Sequence, residues 1–115
     1  MPRALLVASA IFFASAGSAS ADVLVSAIPK HLYCGDAITP GVWAQPGTAH
    51  RRVAIKAIDR DTGKVWWQRT LLAPHHWRDW VLPSGRRGQC GPTTIVYRGH
   101  GFKVRYTVRF RSEGV

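Results

Sequence analysis

The segment FKVRYTVRF, residues 102–110, decides the fold of this chain. Apolar and aromatic residues alternate in it with basic and polar ones, and this alternation places each set on its own face of a strand. One face carries Phe102, Val104, Tyr106, Val108 and Phe110, and the other carries Lys103, Arg105, Thr107 and Arg109. Alternation held over nine residues predicts a β-strand with one face in a core and the other in water.

The remaining strands follow from the same alternation and from turn residues. Residues 93–98 are expected to pair with residues 102–110 as a hairpin across Gly99-His100-Gly101. Further strands are predicted at residues 23–28, 42–44, 51–58, 64–72 and 75–82. Turn-forming Gly, Pro and Asp residues separate these runs at intervals of about 8–12 residues, which is typical of sandwiches and small barrels.

Six or seven strands of this kind define an all-β fold. Because each strand buries one face, the strands must form two packed sheets. We therefore predict a small antiparallel β-sandwich of the immunoglobulin-like or fibronectin-like type, with a small barrel as the alternative. No repeat, low-complexity tract or linker divides residues 22–115, so these residues are expected to form a single domain.

The first 21 residues have the features of a secretory signal peptide. Arg3 precedes the apolar run ALLVASAIFF, residues 4–13, and Ala19-Ser20-Ala21 is a small-residue cleavage site. The apolar run is shorter than the roughly 20 residues that a membrane-spanning helix needs. We expect cleavage after Ala21 and a secreted or periplasmic protein, with an uncleaved membrane anchor as the alternative.

Both cysteines, Cys34 and Cys90, follow the predicted cleavage site. In an oxidising compartment, two thiols in one exported chain most simply pair with each other. We therefore predict a disulfide between them. In the chain-entropy account it stabilises the domain by about 4 kcal/mol, because it closes a long loop.

The chain is strongly basic, with 16 Lys and Arg residues against 6 Asp and Glu and a formal net charge of +10. Four of the cations form a stripe along the last strand and beyond it: Lys103, Arg105, Arg109 and Arg111. Alternate residues of a strand lie about 6.6–6.8 Å apart, which suits contact with a row of phosphate, sulfate or carboxylate groups. Lys56 and Arg98 would widen the stripe if their strands adjoin. The alternative is a solvated face that keeps the protein soluble.

Tryptophan residues supply the second set of binding candidates, namely Trp66, Trp77 and Trp80, together with Arg78. In a strand over residues 75–82, Trp77 and Trp80 face opposite sides, so one of them is expected at the surface. Exposed Trp often marks a binding site for sugars, aromatic ligands or proteins. The alternative is that one Trp lies in the core and the other covers a sheet edge with Arg78 stacked on it.

Neither a metal site nor a catalytic site is predicted. The five His residues show no H-x-x-x-H spacing and no alternate pair on a strand, so we expect no metal and no cofactor. The chain has no G-x-S-x-G sequence. His75 and Asp79 would stand about 13 Å apart on one strand, which is too far for an acid–base pair.

These features favour a non-enzymatic, exported binding module with a basic, Trp-rich surface. Its expected partners are an anionic polysaccharide, lipopolysaccharide, nucleic acid or an acidic protein. A cationic antimicrobial or toxin-like effector is the first alternative, and it would permeabilise anionic vesicles that a binding module leaves intact. A small secreted hydrolase or nuclease is the second, and it predicts an activity that vanishes on His75→Ala and His76→Ala.

Overall fold

Strands account for most of the backbone. The structure is a computed structural model that describes residues 16–18, 22–47 and 51–112. The strands are β1 (Ala16–Ser18), β2 (Val23–Ser26), β3 (His31–Tyr33), β4 (Gly41–Ala44), β5 (Arg52–Asp59), β6 (Val65–Leu72), β7 (Arg78–Asp79), β8 (Thr93–Gly99) and β9 (Phe102–Arg111). A 3-10 turn at Arg86–Gly88 is the single helical element in the described part. None of these residues belongs to a helix long and apolar enough to cross a membrane.

The nine strands form two sheets, which confirms the predicted all-β class. The order is β1-β2-β4-β7 in the four-stranded sheet and β3-β9-β8-β5-β6 in the five-stranded sheet. All pairings are antiparallel except that of β3 with β9, which is parallel. The purely antiparallel arrangement was therefore wrong at this one pair. A three-residue strand is too short to show an alternation, and its partner lies far along the chain.

The segment predicted as one strand over residues 75–82 is paired only in its second half. There β7 pairs with β4, the N–H of Trp80 donates to the carbonyl of Pro40, and Leu82 forms an isolated bridge with Ile38. The reason lies at its beginning, where the chain folds around the end of β4. The carbonyl of Pro74 accepts a hydrogen bond from the N–H of Ala44 at 2.7 Å, and the ring of His75 lies 3.0 Å from the Ala44 carbonyl.

The hydrophobic core lies between the two sheets and is built from alternate residues of their strands. The four-stranded sheet contributes Val23, Val25, Val42 and Ala44, and the five-stranded sheet contributes Val53, Ile55, Ala57, Ile95, Tyr97 and Val108. The apolar side of β9 also faces this core as predicted. Its Val108 is fully buried, and its other four apolar residues are partly buried against the core.

The hydroxyl of Tyr97 connects the two sheets because it donates one hydrogen bond and accepts another. The side chain is fully buried, and its hydroxyl donates to the carbonyl of Ser26 at 2.8 Å. The same oxygen accepts a hydrogen bond from the N–H of Gly41 at 3.3 Å. Burial raises the pKa of this phenol well above its usual value, because the core disfavours the phenolate.

The predicted disulfide between Cys34 and Cys90 is present and joins the end of β3 to the loop before β8. Ser84 holds the same two segments together. Its hydroxyl accepts a hydrogen bond from the N–H of Gly35 at 2.9 Å and donates to the carbonyl of Asp36. The covalent link and these hydrogen bonds fix the loop before β8 against the beginning of the domain.

The predicted signal peptide, residues 1–21, lies largely outside the described residues. Its residues Ala16–Ser18 are described, and they pair antiparallel with β2 at the edge of the four-stranded sheet.

Candidate functional site

The predicted cationic stripe lies on the side of the five-stranded sheet that faces away from the core. All four of its residues are exposed, and they alternate along β9 with the partly or fully buried apolar residues: Lys103, Arg105, Arg109 and Arg111. The alternation of β9 is therefore sufficient to place the four cations together. The end of the stripe adjoins β3, where His31 is paired with Arg109 and Tyr33 with Arg111.

Two neighbouring strands widen the stripe into a surface. Arg98 of β8 lies directly opposite Lys103, and Lys56 of β5 is separated from Arg105 by the single residue Val96 of β8. Lys56 and Arg98 are exposed like the stripe residues. We call the surface formed by Lys56, Arg98 and the four stripe residues the basic face.

The basic face includes a shallow depression of about 580 Å³. Lys56, Arg98, Lys103 and Arg105 line it, and Val96 lies between them. The opposed pair of Lys103 and Arg98 costs some stability, because like charges directly across two strands repel each other. The surface therefore concentrates positive charge at the expense of the fold.

No carboxylate forms an ion pair with the basic face in the part of the chain that the structure describes. The one ion pair found there joins Asp22 to Arg51 at 3.0 Å. Three of the other four described carboxylates accept hydrogen bonds from groups outside the basic face: Asp36 from the N–H of Tyr33, Asp59 from the N–H of Asp61, and Asp79 from the indole of Trp77. The positive charge of the basic face is therefore available to a ligand.

Trp77 presents a fixed aromatic ring on the other sheet. It is 44% exposed, and its indole N–H donates a hydrogen bond to the carboxylate of Asp79 at 3.0 Å. Its ring covers Gly41, where a Cβ would overlap it. Trp77 and Asp79 share one side of the segment, as the alternation predicts.

Trp80 and Arg78 belong to a row of four stacked side chains that closes one side of the two sheets. The guanidinium of Arg78 lies 5.2 Å from the centre of the Trp80 ring, and that ring meets Trp67 edge to face at 5.6 Å. The guanidinium of Arg69 lies 5.3 Å from the Trp67 ring. Both Trp residues also pack against the core, so this row is part of the packing between β6 and the segment after β7.

Neither Trp66 nor Trp43 is fully exposed or fully buried. Trp66 is half-buried against the core, and its indole N–H is buried without a partner among the described residues. Trp43 is only partly buried. Its neighbours Val42 and Ala44 are both buried, so the alternation turns Trp43 to the opposite face.

The described residues do not form a metal site, and His75 and Asp79 do not form an acid–base pair. No group of three or more His, Cys, Asp or Glu side chains lies close enough together there to hold a metal ion. His75 is directed at the carbonyl of Ala44, and Asp79 is directed at Trp77, so these two residues do not face each other.

The structure adds three residues that sequence reasoning missed: Lys30, His31 and Arg60. They line a cleft at the end of the basic face together with Arg105 and Arg109. Their positions depend on the pairing of β3 with β9 and on the turn after β5, which no local pattern reveals. The only local signal was that Lys30 and His31 are consecutive polar residues after Pro29.

Comparisons of this chain with known protein families, with curated proteins and with solved structures find no match.

Proposed function

We propose that this protein is an exported, non-enzymatic binding module whose basic face binds an anionic polymer. The observation that carries the proposal is the concentration, on three adjacent strands, of cations that form no ion pair within residues 16–18, 22–47 and 51–112. Lys56, Arg98 and Lys103 each come from a different strand and face the same side of one sheet. A solvated face needs charge of either sign, whereas this one holds six cations beside the single carboxylate of Asp59, which forms no ion pair with them among the described residues.

The physical basis of binding is counterion release. A chain of phosphate, sulfate or carboxylate groups carries condensed cations, and a basic surface displaces them into solution. The strands hold their side chains at about 6.6–6.8 Å along β9, and adjacent strands lie about 4.8 Å apart. The basic face is therefore a grid of positive charge on a rigid sheet, which suits a repeating anion better than a single ligand.

The sheet order supports an immunoglobulin-like architecture for this module. The order β9-β8-β5-β6 corresponds to strands G, F, C and C′ of an immunoglobulin variable-type sheet, and β2-β4-β7 corresponds to strands A, B and E. The disulfide departs from that pattern. In antibody domains it joins strands B and F, whereas here it joins the end of β3 to the loop before β8.

Export through a cleaved signal peptide completes the proposal. Intact-mass spectrometry of the protein recovered from the membrane, periplasmic and secreted fractions of a bacterial host tests it directly. We expect a chain that begins at Asp22 and is two mass units lighter than its reduced form, because forming one disulfide removes two hydrogens. A mass that still includes residues 1–21 would support the membrane-anchor alternative.

Binding is tested with the triple variant Lys56→Gln, Arg98→Gln and Lys103→Gln, in which glutamine keeps a polar side chain without the charge. The matched control is Arg69→Gln, Arg86→Gln and Arg87→Gln, which removes the same charge at three residues that are not members of the basic face. We expect the first variant to bind heparin and duplex DNA about tenfold or more weakly than the control. Equal losses in the two variants would mean that net charge alone attracts the polymer, and the proposal would then be wrong.

A dye-release assay with the same protein distinguishes polymer binding from membrane damage. The proposal expects anionic vesicles to retain an enclosed dye when the protein is added. Dye release that depends on Lys56, Arg98 and Lys103 would favour the effector alternative instead.

A further inference from the structure

A second cleft adjoins the depression on the basic face and is lined in part by Arg105 and Arg109. It has a volume of about 330 Å³, near the lower end of the range of about 300–1,000 Å³ that small-molecule sites occupy. This volume is sufficient for a small anionic group.

Cations reach this cleft from three separate parts of the chain. Lys30 comes from the segment before β3, Arg60 from the turn after β5, and Arg105 and Arg109 from β9. No Asp or Glu is among the residues that line it in the described structure. This distinguishes the cleft from the shallow depression beside it, which Asp59 also lines.

Backbone hydrogen bonds hold the segments that carry these cations in place. The N–H of Arg109 donates a hydrogen bond to the carbonyl of Lys30 at 2.8 Å, which fixes the approach to β3 beside β9. Arg60 is held by a hydrogen bond from its own N–H to the carbonyl of Pro92 at 2.9 Å. The backbone positions of the four cations around the cleft therefore follow from the fold.

Neutral donors complete the lining of the cleft. Thr107, whose hydroxyl lies 3.1 Å from that of Thr94, and His31 line it together with Ile28 and Tyr106. Guanidinium groups together with hydroxyl and imidazole donors match the several oxygens of a tetrahedral anion. A single carboxylate offers fewer acceptors and uses such a donor set less completely.

We propose that this cleft binds one phosphate or sulfate group, either free or as a monoester carried by a larger molecule. The inference rests on the proposed function in one respect, because the cleft adjoins the basic face and shares Arg105 and Arg109 with it. It adds that one position on that face recognises a single tetrahedral anion through converging donors.

Inorganic phosphate is the first probe, and its binding is followed by the backbone amide shifts of the exported protein. We expect saturable shifts at His31, Thr107 and Arg109. The cleft variant Lys30→Gln with Arg109→Gln should weaken phosphate binding about tenfold or more, since it removes two charge-assisted donors. The control is Lys56→Gln with Arg98→Gln, which removes the same charge outside the cleft and should leave phosphate affinity within about twofold.

Sulfate and phenyl phosphate distinguish the sources of the anion. Saturation by both at the same amides supports a site for the shared tetrahedral group, and tighter binding of phenyl phosphate would identify a monoester as the ligand. Shifts that grow linearly without saturation, or equal losses in the two variants, would overturn the inference.

These outcomes are separable from those of the proposed function. Heparin binding that depends on Lys56, Arg98 and Lys103 without saturable phosphate binding would remove the cleft inference alone. If phosphate binding is saturable but heparin affinity does not depend on Lys56, Arg98 and Lys103, only the polymer proposal is wrong.

Discussion

Tyr97 shows how one side chain joins two layers. Its hydroxyl satisfies two backbone groups of the four-stranded sheet from a position within the five-stranded sheet: the carbonyl of Ser26 and the N–H of Gly41. We expect Tyr97→Phe to lower the free energy of unfolding by about 1–3 kcal/mol, because it leaves both buried groups without a partner. Urea unfolding measures the change, and Tyr106→Phe is the control, since the Tyr106 hydroxyl has no hydrogen bond within the described residues.

The same residue predicts a dependence on alkaline pH. Burial raises the pKa of Tyr97 in the folded protein, whereas in the unfolded chain the phenol ionises near its usual value of about 10. Its contribution to stability is complete below about pH 10 and is lost as the pH rises above that value, because only the unfolded chain then releases the proton. The stability of the wild-type protein should therefore fall more steeply above pH 10 than that of Tyr97→Phe. Parallel curves would contradict this assignment.

At the scale of the strand, one face of β9 stabilises the fold and the other lowers its stability. Its apolar residues pack on the core, while its Lys103 opposes Arg98 across the sheet. We expect Lys103→Glu to raise the free energy of unfolding by about 0.2–1 kcal/mol, because an attraction replaces a repulsion. The same change should weaken heparin binding. Thermal unfolding and heparin affinity measured together, with Lys103→Gln as the intermediate, check both effects; a loss of stability would show that this pair does not repel.

The strands also show which structural features can be predicted from a local sequence pattern. The alternation in residues 102–110 predicted both the buried face and the cationic stripe, since both depend on the geometry of a single strand. It did not predict that Arg98 and Lys56 join the stripe, because strand neighbours are set by contacts between distant residues. The short strands β3 and β7 contain too few residues for any period to appear. The cleft cations Lys30 and Arg60 lie outside strands altogether, and their convergence is a property of the assembled fold.

At the scale of the whole molecule, the disulfide is the strongest single constraint. Cys34 and Cys90 are 56 residues apart, and closing a loop of this length stabilises a domain by about 4 kcal/mol in the chain-entropy account. We expect the Cys34→Ser, Cys90→Ser variant to lose about 2–4 kcal/mol of unfolding free energy in urea. Reduction of the wild-type protein should give a similar loss. An unchanged midpoint in both experiments would mean that the unfolded chain is already restricted in other ways.

The net charge of the whole chain complicates any binding experiment, because a formal charge of +10 attracts every polyanion to some degree. The basic face differs from this general attraction in its location, on one side of one sheet. A decisive experiment must therefore separate the position of the cations from their number.

The dependence of duplex DNA affinity on salt does this most directly. The logarithm of the association constant should fall linearly with the logarithm of the salt concentration, and each lost phosphate contact should reduce the slope by about 0.9. We predict that Lys56→Gln, Arg98→Gln and Lys103→Gln together reduce the slope by about three, while Arg69→Gln, Arg86→Gln and Arg87→Gln leave it nearly unchanged. Equal reductions in both variants, or no salt dependence in the wild-type protein, would contradict the account.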